Sequence, residues 1–308
     1  MASSPPLPAD SESREVSEKS GTRSYKDPFI VQPSGPHTHT IILLHGRGSN
    51  GPKFGKEFIT SASSTGKNLS ETFPFAKFIF PTAKKRRAVV FKRMPINQWF
   101  DLYDINRQGY REHLSVDGLQ ETTGFIHGLI EQEVQGGIAA ERIVMGGLSQ
   151  GCAASLYSLL CFNERLGGYV GMSGWLPFAR HMQDIIEDES EGSSEDDIFA
   201  RSDDEASESE KESTPDQISK AINFARENIS HAPLSSSFTS LPVSKTLVFL
   251  GHGALDEKVK CNLGEGAQDV LMSLGFRVTW KKYNDLGHWY SVPDEIDDIE
   301  RFLEKCLV

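Results

Sequence analysis

The sequence predicts an α/β protein with a mostly parallel central sheet covered by helices on both faces. Short apolar runs of strand length alternate with segments of helical period from residue 38 to the C-terminus, the pattern of strands joined by helical crossovers. Glycine-rich turns follow two of those strands: His45-Gly46-Arg47-Gly48-Ser49-Asn50-Gly51, and Gly147-Leu148-Ser149-Gln150-Gly151. The composition, 38% hydrophobic and 24% charged over 308 residues, suits a chain with a full core, and no apolar run approaches the ~20 residues that span a bilayer.

Each element can be justified in order. Residues 38–44 are β-branched and apolar and enter a glycine loop, which reads as a buried strand. Phe54, Phe58, Ile59 and Ala62 suit a short helix, and residues 76–80, ahead of Pro81, the next strand. Val116, Leu119, Ile126, Ile130 and Val134 recur near helical spacing, with Gly136-Gly137 as the stop. Strands expected at 142–146, 168–172, 245–250 and 277–283 then alternate with helices at 152–161, 262–274 and 294–307. Ile218, Ala221, Ile222, Ala225 and Ile229 form a further helical stripe.

The reading is one domain over 26–308, preceded by a disordered tail at 1–25 and interrupted by a disordered acidic insert at 187–215. The net charge of −11 belongs to that insert: residues 187–216 hold fourteen acidic and two basic residues, leaving the remainder close to neutral. Within it, Ser194, Ser202, Ser207 and Ser209 each have an acidic residue three positions on, a pattern acidophilic kinases favour. No nucleic-acid partner is expected. The run Lys84-Lys85-Arg86-Arg87 with Lys92-Arg93 reads as a solvated loop, its sharper alternative being an anionic-surface or nuclear-import signal. The first thirty residues lack the apolar core of a signal peptide, and cysteines 152, 161, 261 and 306 lack metal-ligand spacing. The expected setting is the reducing cytoplasm, or the nucleus if the basic run is read there.

The chemistry centres on Gly147-Leu148-Ser149-Gln150-Gly151. A G-x-S-x-G turn between strand and helix is what a nucleophile elbow requires, because the strained turn exposes the serine hydroxyl. A serine hydroxyl needs a base, and the base needs an acid to fix its tautomer. Asp256 follows the strand at 245–250 and His288 the strand at 277–283, in the order serine, acid, histidine. Asp285, three residues before His288, is the competing acid but would have to fold back; Asp269 falls in a predicted helix. His252 reads as a loop residue packed beneath the site, and His113, His127, His181 and His231 as solvated. The developing oxyanion needs donors, for which the Gln150 N–H and the loop from His45 to Gly48 are placed.

With these residues in view, the sequence resembles the acyl-protein thioesterase and carboxylesterase group of lysophospholipase-like serine hydrolases. The matching stretches are IILLHGRG (41–48), MPINQWFDLYD (94–104), GLSQG (147–151), GMSGWLP (171–177), HGALDEKV (252–259) and LGH (286–288). The resemblance implies an α/β-hydrolase fold, no cofactor or metal, and cleavage of esters or thioesters on acylated proteins, lysolipids or small esters, with transient membrane contact. It implies Ser149 as nucleophile, Asp256 as acid, His288 as base, and the N–H groups of Arg47 and Gln150 as the oxyanion hole. Trp99, Phe100, Trp175, Leu176 and Trp289 sit beside family motifs where apolar side chains would hold an acyl chain. The chain departs from the family at Arg47, usually Leu, at Ser49, usually Asp, and at Cys152, usually Gly, so its acyl channel is expected to be less apolar at the mouth. A carboxylesterase for small soluble esters would share every catalytic residue, and a catalytically silent ligand-binding protein on the same scaffold is the rival of another class.

Overall fold

A computed structural model describes residues 24–107, 109–188, 214–235, 237 and 242–307. In chain order the elements are β1 (Lys26–Val31), β2 (His39–Leu44), α1 (Gly51–Thr60), α2 (Leu69–Thr72), β3 (Ala76–Thr82), β4 (Lys85–Ala88), β5 (Met94–Asn97), α3 (His113–Gln135), β6 (Ile143–Leu148) and α4 (Gln150–Leu160). They continue with β7 (Gly168–Met172), α5 (Ala179–Glu187), α6 (Pro215–Asn228), β8 (Leu247–Gly253), α7 (Cys261–Ser273), β9 (Arg277–Tyr283) and α8 (Asp294–Cys306). Seven strands form one sheet in the order β1-β3-β2-β6-β7-β8-β9, with β1 antiparallel and the rest parallel.

The alternation of side chains along each strand divides the core into two. Ile42, Leu44, Met145, Tyr169 and Leu250 face the side covered by α3, α4, α5, α6 and α7. Ile41, Leu43, Val144, Val170 and Phe249 face the side covered by α1, α2 and α8. Strand order reverses between β2 and β6: from β2 the chain steps outward to β3, then returns to lay β6 on the other side. In an open parallel sheet, that reversal leaves a crevice at the strands' carboxyl ends. Both glycine turns singled out in the sequence end on this crevice.

Several elements lie outside the sequence reading, the four-residue α2 among them. The edge strand β1 is half-exposed along its length, so it lacks a continuous apolar run. The α5 helix is short and presents only Ala179, Met182 and Ile186 to the core. The basic run, expected as a loop, is instead a two-stranded hairpin pairing Lys85 with Asn97 and Ala88 with Met94. Its Lys84 and Arg86 are not solvated, because both bind the carboxylate of Glu121 on α3.

Other boundaries move for identifiable reasons. Tyr25, assigned to the tail, stacks on Phe125 with centroids 3.6 Å apart, and Lys84 Nζ lies over its ring; the rest of the tail, from residue 23 back, lies outside the described residues. Of the acidic insert, Glu187 closes α5 and Thr214 caps α6 through a reciprocal pair of bonds with Gln217. Gln217 Nε2 also donates to Asp188 O at 2.8 Å, which brings those two ends side by side. The intervening 189–213, which holds Ser194, Ser202, Ser207 and Ser209, lies outside the described residues. His127 is not solvated: it is half-buried, its Nε2 donates to Ser158 O at 2.9 Å, and burial pushes it down to about 4.

The stripe on α3 is also shifted. Val134, expected on the core face, is 40% exposed, whereas Glu133 is buried. Glu133 can be there because Lys77 Nζ meets Oε1 at 2.6 Å and Thr40 Oγ1 donates to Oε2 at 2.7 Å, which pins α3 to β2 and β3. Lys77→Met would leave that carboxylate buried with the Thr40 hydroxyl and, at 3.7 Å, His37 Nε2. In urea unfolding it should cost about 3 kcal/mol, and the double change Lys77→Met/Glu133→Leu should recover most of the loss.

Candidate active site

Ser149 stands between β6 and α4 with φ 57° and ψ −121°, a conformation that costs a non-glycine residue about 1–3 kcal/mol. The turn is held by the sheet around it. Ser149 N donates to Met172 O at 2.9 Å, and α4, buried along its whole length, continues from the turn into the core. The flanking glycines are obligatory: a Cβ at Gly147 would sit 2.7 Å from Leu44 O, and one at Gly151 2.3 Å from the same oxygen. The loop after β2 is equally close, since a Cβ at Gly46 would stand 3.4 Å from Ser149 Cβ and 3.9 Å from its Oγ.

Three side chains from three strand ends meet here. His288 Nε2 lies 2.9 Å from Ser149 Oγ, and His288 Nδ1 lies 2.7 Å from Asp256 Oδ2. Asp285, the competing acid, is exposed on the preceding loop. The buried Asp256 accepts the N–H groups of Lys258 and Val259 on Oδ1, both at 2.9 Å. His252, at the end of β8, is more than packing: its Nε2 lies 3.4 Å from Asp256 Oδ2 and donates to Val259 O at 2.8 Å. Burial would raise the Asp256 carboxyl. The bonds from His252, then His288, then the Val259 N–H outweigh it and hold the carboxyl well below the ordinary range.

The loop after β2 is fixed by polar contacts that the sequence did not disclose. His45 Nδ1 donates to Gly46 O at 2.7 Å while its Nε2 accepts from Ala83 N at 3.0 Å, which fixes one neutral tautomer; burial pushes His45 down to about 4. Trp99 Nε1 donates to His45 O at 2.8 Å. The Gln150 side chain bridges back, accepting from Trp99 N at 3.1 Å and donating to Phe100 O at 2.8 Å. Trp99 is therefore fully buried and serves as a strut under the loop. The backbone N–H groups of Arg47 and Gln150 donate to no acceptor among the described residues.

The remaining expected substrate residues separate. Phe100, Trp175 and Leu176 line one narrow slot of about 40 Å³ with Leu102, Ile105 and Phe178. Trp289 lies elsewhere, 38% exposed and stacked on Tyr290. The Arg47 side chain turns away from the slot to the hairpin, its Cζ 5.2 Å from the centre of the Phe91 ring. Ser173, unremarked in the sequence, has φ 46° and donates from Oγ to Trp289 O at 2.7 Å, bracing the backbone beside His288. Its place in GMSGWLP was the available signal. Among the described residues no group of three His, Cys, Asp or Glu side chains is arranged to hold a metal, and no helix is long and apolar enough to cross a membrane.

The electrostatics make a signed prediction. An acid held below its ordinary range stabilises the fold above pH ~4, and that contribution disappears as pH falls through the folded-state value. Asp256→Asn should therefore melt below the native chain at pH 7, with the gap in Tm shrinking towards pH 2; scanning calorimetry across that range checks it.

Comparison with known proteins agrees with this arrangement. A family model described as phospholipase/carboxylesterase matches residues 25–188 and 209–307. The chain is 27% identical over 282 residues to acyl-protein thioesterase 1 of Gibberella zeae, covering 91% of this chain and 95% of that protein. It is 30% identical over 290 residues to acyl-protein thioesterase 1 of Cryptococcus neoformans, covering 90% and 96%. The solved structure of Zea mays acyl-protein thioesterase 2 superposes with a TM-score of 0.64 at 26% identity, over 92% of this chain and 100% of that one. With the α/β-hydrolase fold, the strained serine turn and the matched family model together, the chain belongs to the phospholipase/carboxylesterase family and is an ester hydrolase.

Proposed function

We propose that the protein removes acyl groups from thioesters or esters, in the manner of the acyl-protein thioesterases it is similar to, through an acyl-enzyme formed on Ser149. The observation that carries this reading is the unbroken chain of contacts from Ser149 Oγ through His288 to Asp256. With Nδ1–H bonded to the carboxylate, Nε2 is the acceptor and takes the serine proton as Oγ attacks the acyl carbonyl. Asp256 stays ionised and stabilises the imidazolium. The N–H groups of Arg47 and Gln150 receive the oxyanion, each worth ~3 kcal/mol when lost. His288 then returns the proton to the departing thiol or alcohol, and a water, activated by the same imidazole, releases the acid.

The slot lined by Phe100, Trp175 and Leu176 is the acyl site in this reading. At about 40 Å³ it has room for a few waters at ~10–15 Å³ each, so a long chain enters only if the lining moves. The hairpin suits transient contact with a membrane. Its tip exposes Val90, Phe91 and Met94 at 42%, 43% and 60%, and Lys85, Arg87, Lys92 and Arg93 are exposed around them. An acylated protein on an anionic lipid surface is the substrate this pairing favours.

Two experiments test the proposal. Ser149→Ala should lower kcat by about 10⁴-fold or more on acyl thioesters and abolish fluorophosphonate labelling without changing Tm; retention of a hundredth of the activity would exclude the serine. Phe91→Ser/Met94→Ser should reduce co-sedimentation with phosphatidylserine-containing vesicles several-fold, and Lys92→Glu/Arg93→Glu should remove its salt dependence. Unaltered binding by both would leave the hairpin without a membrane role.

A further inference from the structure

Glu295 lies in the first turn of α8 with its side chain turned inward and fully buried. Its Oε2 accepts the Ser291 N–H at 3.0 Å, and its own N–H closes on Ser291 O at 3.2 Å. Its Oε1 finds no hydrogen-bond partner among the described residues. That oxygen presses on Gly251 of β8 so closely that a Cβ there would sit 2.1 Å away. Gly251 O accepts the Ser173 N–H at 2.8 Å, and Ser173 Oγ returns to Trp289 O at 2.7 Å. These contacts form a closed circuit from α8 through β8 and the end of β7 back to the loop between β9 and α8. His288 sits on that loop, with Trp289 and Ser291 fixed on the same side of it.

Among the described residues, the groups facing this carboxyl include no cation. They are Tyr283 on β9, Tyr290 on the loop, Cys152 on α4 and Asp298 on α8 itself. Lys281 and Arg301 are nearby but pair with Asp298. An ionised Glu295 would thus be a buried charge with one N–H donor, whereas the protonated acid keeps that bond and leaves only a neutral O–H without an acceptor among the described residues, the smaller cost.

We infer that Glu295 is a positioning residue for the hydrolysis, its un-ionised carboxyl acting as the splint that ties the His288 loop to strand β8. The inference rests on the reading of His288 as the catalytic base. Burial raises this carboxyl to about 8, against the Ser291 N–H, and the neighbouring Asp298 adds to the rise. At neutral pH the splint is uncharged; as pH rises through 8 it ionises, strains against Gly251 and loosens the loop.

The sign for stability follows. A carboxyl raised from ~4.3 stays protonated in the fold where the unfolded chain has released its proton, so stability falls with rising pH across that interval. Glu295→Gln keeps the shape and cannot ionise. Its Tm relative to the native protein should rise steadily between pH 5 and pH 8, and its kcat at pH 7 on p-nitrophenyl butyrate should stay within about threefold of native. The alkaline fall in native kcat, centred near pH 8, should move up by at least one pH unit in this variant. Glu295→Ala should lose about tenfold or more in kcat with little change in KM, the mark of a misplaced base rather than lost binding.

Hydrogen exchange over 284–293 in the native protein, corrected for intrinsic rates, needs no variant and should lose protection between pH 7 and 9. An unmoved alkaline limb in Glu295→Gln, or unchanged protection across that range, overturns the inference. Ser149→Ala assayed in parallel separates the two readings. If it stays active, the serine mechanism fails; if it is dead while Glu295→Gln titrates like the native chain, only the positioning role fails.

Discussion

The structure depends on one close approach: the turn between β6 and α4 rests directly on the last carbonyls of β2. Leu44 O lies where a Cβ on Gly147 or Gly151 would have to be, so the contact exists only because both positions lack a side chain. Given that contact, Ser149 is forced into a left-handed conformation and the loop after β2 is brought beside its hydroxyl. The cost of the strained residue, about 1–3 kcal/mol, is small beside the burial of an entire helix that begins at the turn. The reversal of strand order supplies the neighbours, because only adjacent parallel strands that send their chains in opposite directions leave both loops free at one end.

Around that contact, polar groups are arranged so that none needs to change charge to keep its place. Asp256 is buried with two backbone donors and two imidazoles, and its low pKa means that it enters the fold already ionised. His45 is buried with one ring nitrogen donating and the other accepting, so it stays neutral. The Gln150 amide uses both ends on the backbone of Trp99 and Phe100. Each is a group that would be costly if half satisfied and instead fixes a loop. Glu295 is the exception, and it occurs where the loop that carries His288 meets the sheet.

How much of this was legible in the sequence depends on whether the signal was contiguous. The serine turn, the strand before it and the helix after it are neighbours in the chain, and their residue types alone specify them. Asp256 and His288 could be placed because each follows a recognisable strand. The β1 strand and the hairpin could not, because edge strands need only half an apolar pattern and the hairpin pairs a charged strand, Lys85–Ala88, with a four-residue one that begins Met94-Pro95. Val134 and Glu133 exchanged faces for a reason that lies 56 residues away, in Lys77. Trp99 read as a substrate residue because its indole partner, His45 O, lies 54 residues away. Glu295 did leave a trace: it shares a helical face with Ile296, Ile299, Phe302 and Leu303, and an acid on an apolar stripe is a signal that needs a partner.

The same contacts divide the site into a fixed half and an adjustable half. The Ser149 turn is tied to the sheet by backbone, through Ser149 N on Met172 O, and Asp256 is held by the N–H groups of Lys258 and Val259, whereas the His288 loop is braced by the side chains of Ser173 and Glu295. The hairpin and the slot are attached differently. Asp101 accepts from Val89 N at the hairpin's turn, from Leu102 N at the slot and from Gln98 Nε2 beside Trp99. The hairpin is held as well by Glu121 of α3, which binds Lys84 and Arg86, by Asn97, whose O accepts Gly48 N and whose Nδ2 donates to Ser49 O, both at 2.8 Å, and by the Arg47 contact with Phe91. The Ser149 turn, by contrast, is set by two backbones in contact, with Leu44 O against Gly147 and Gly151, and no side chain stands between them.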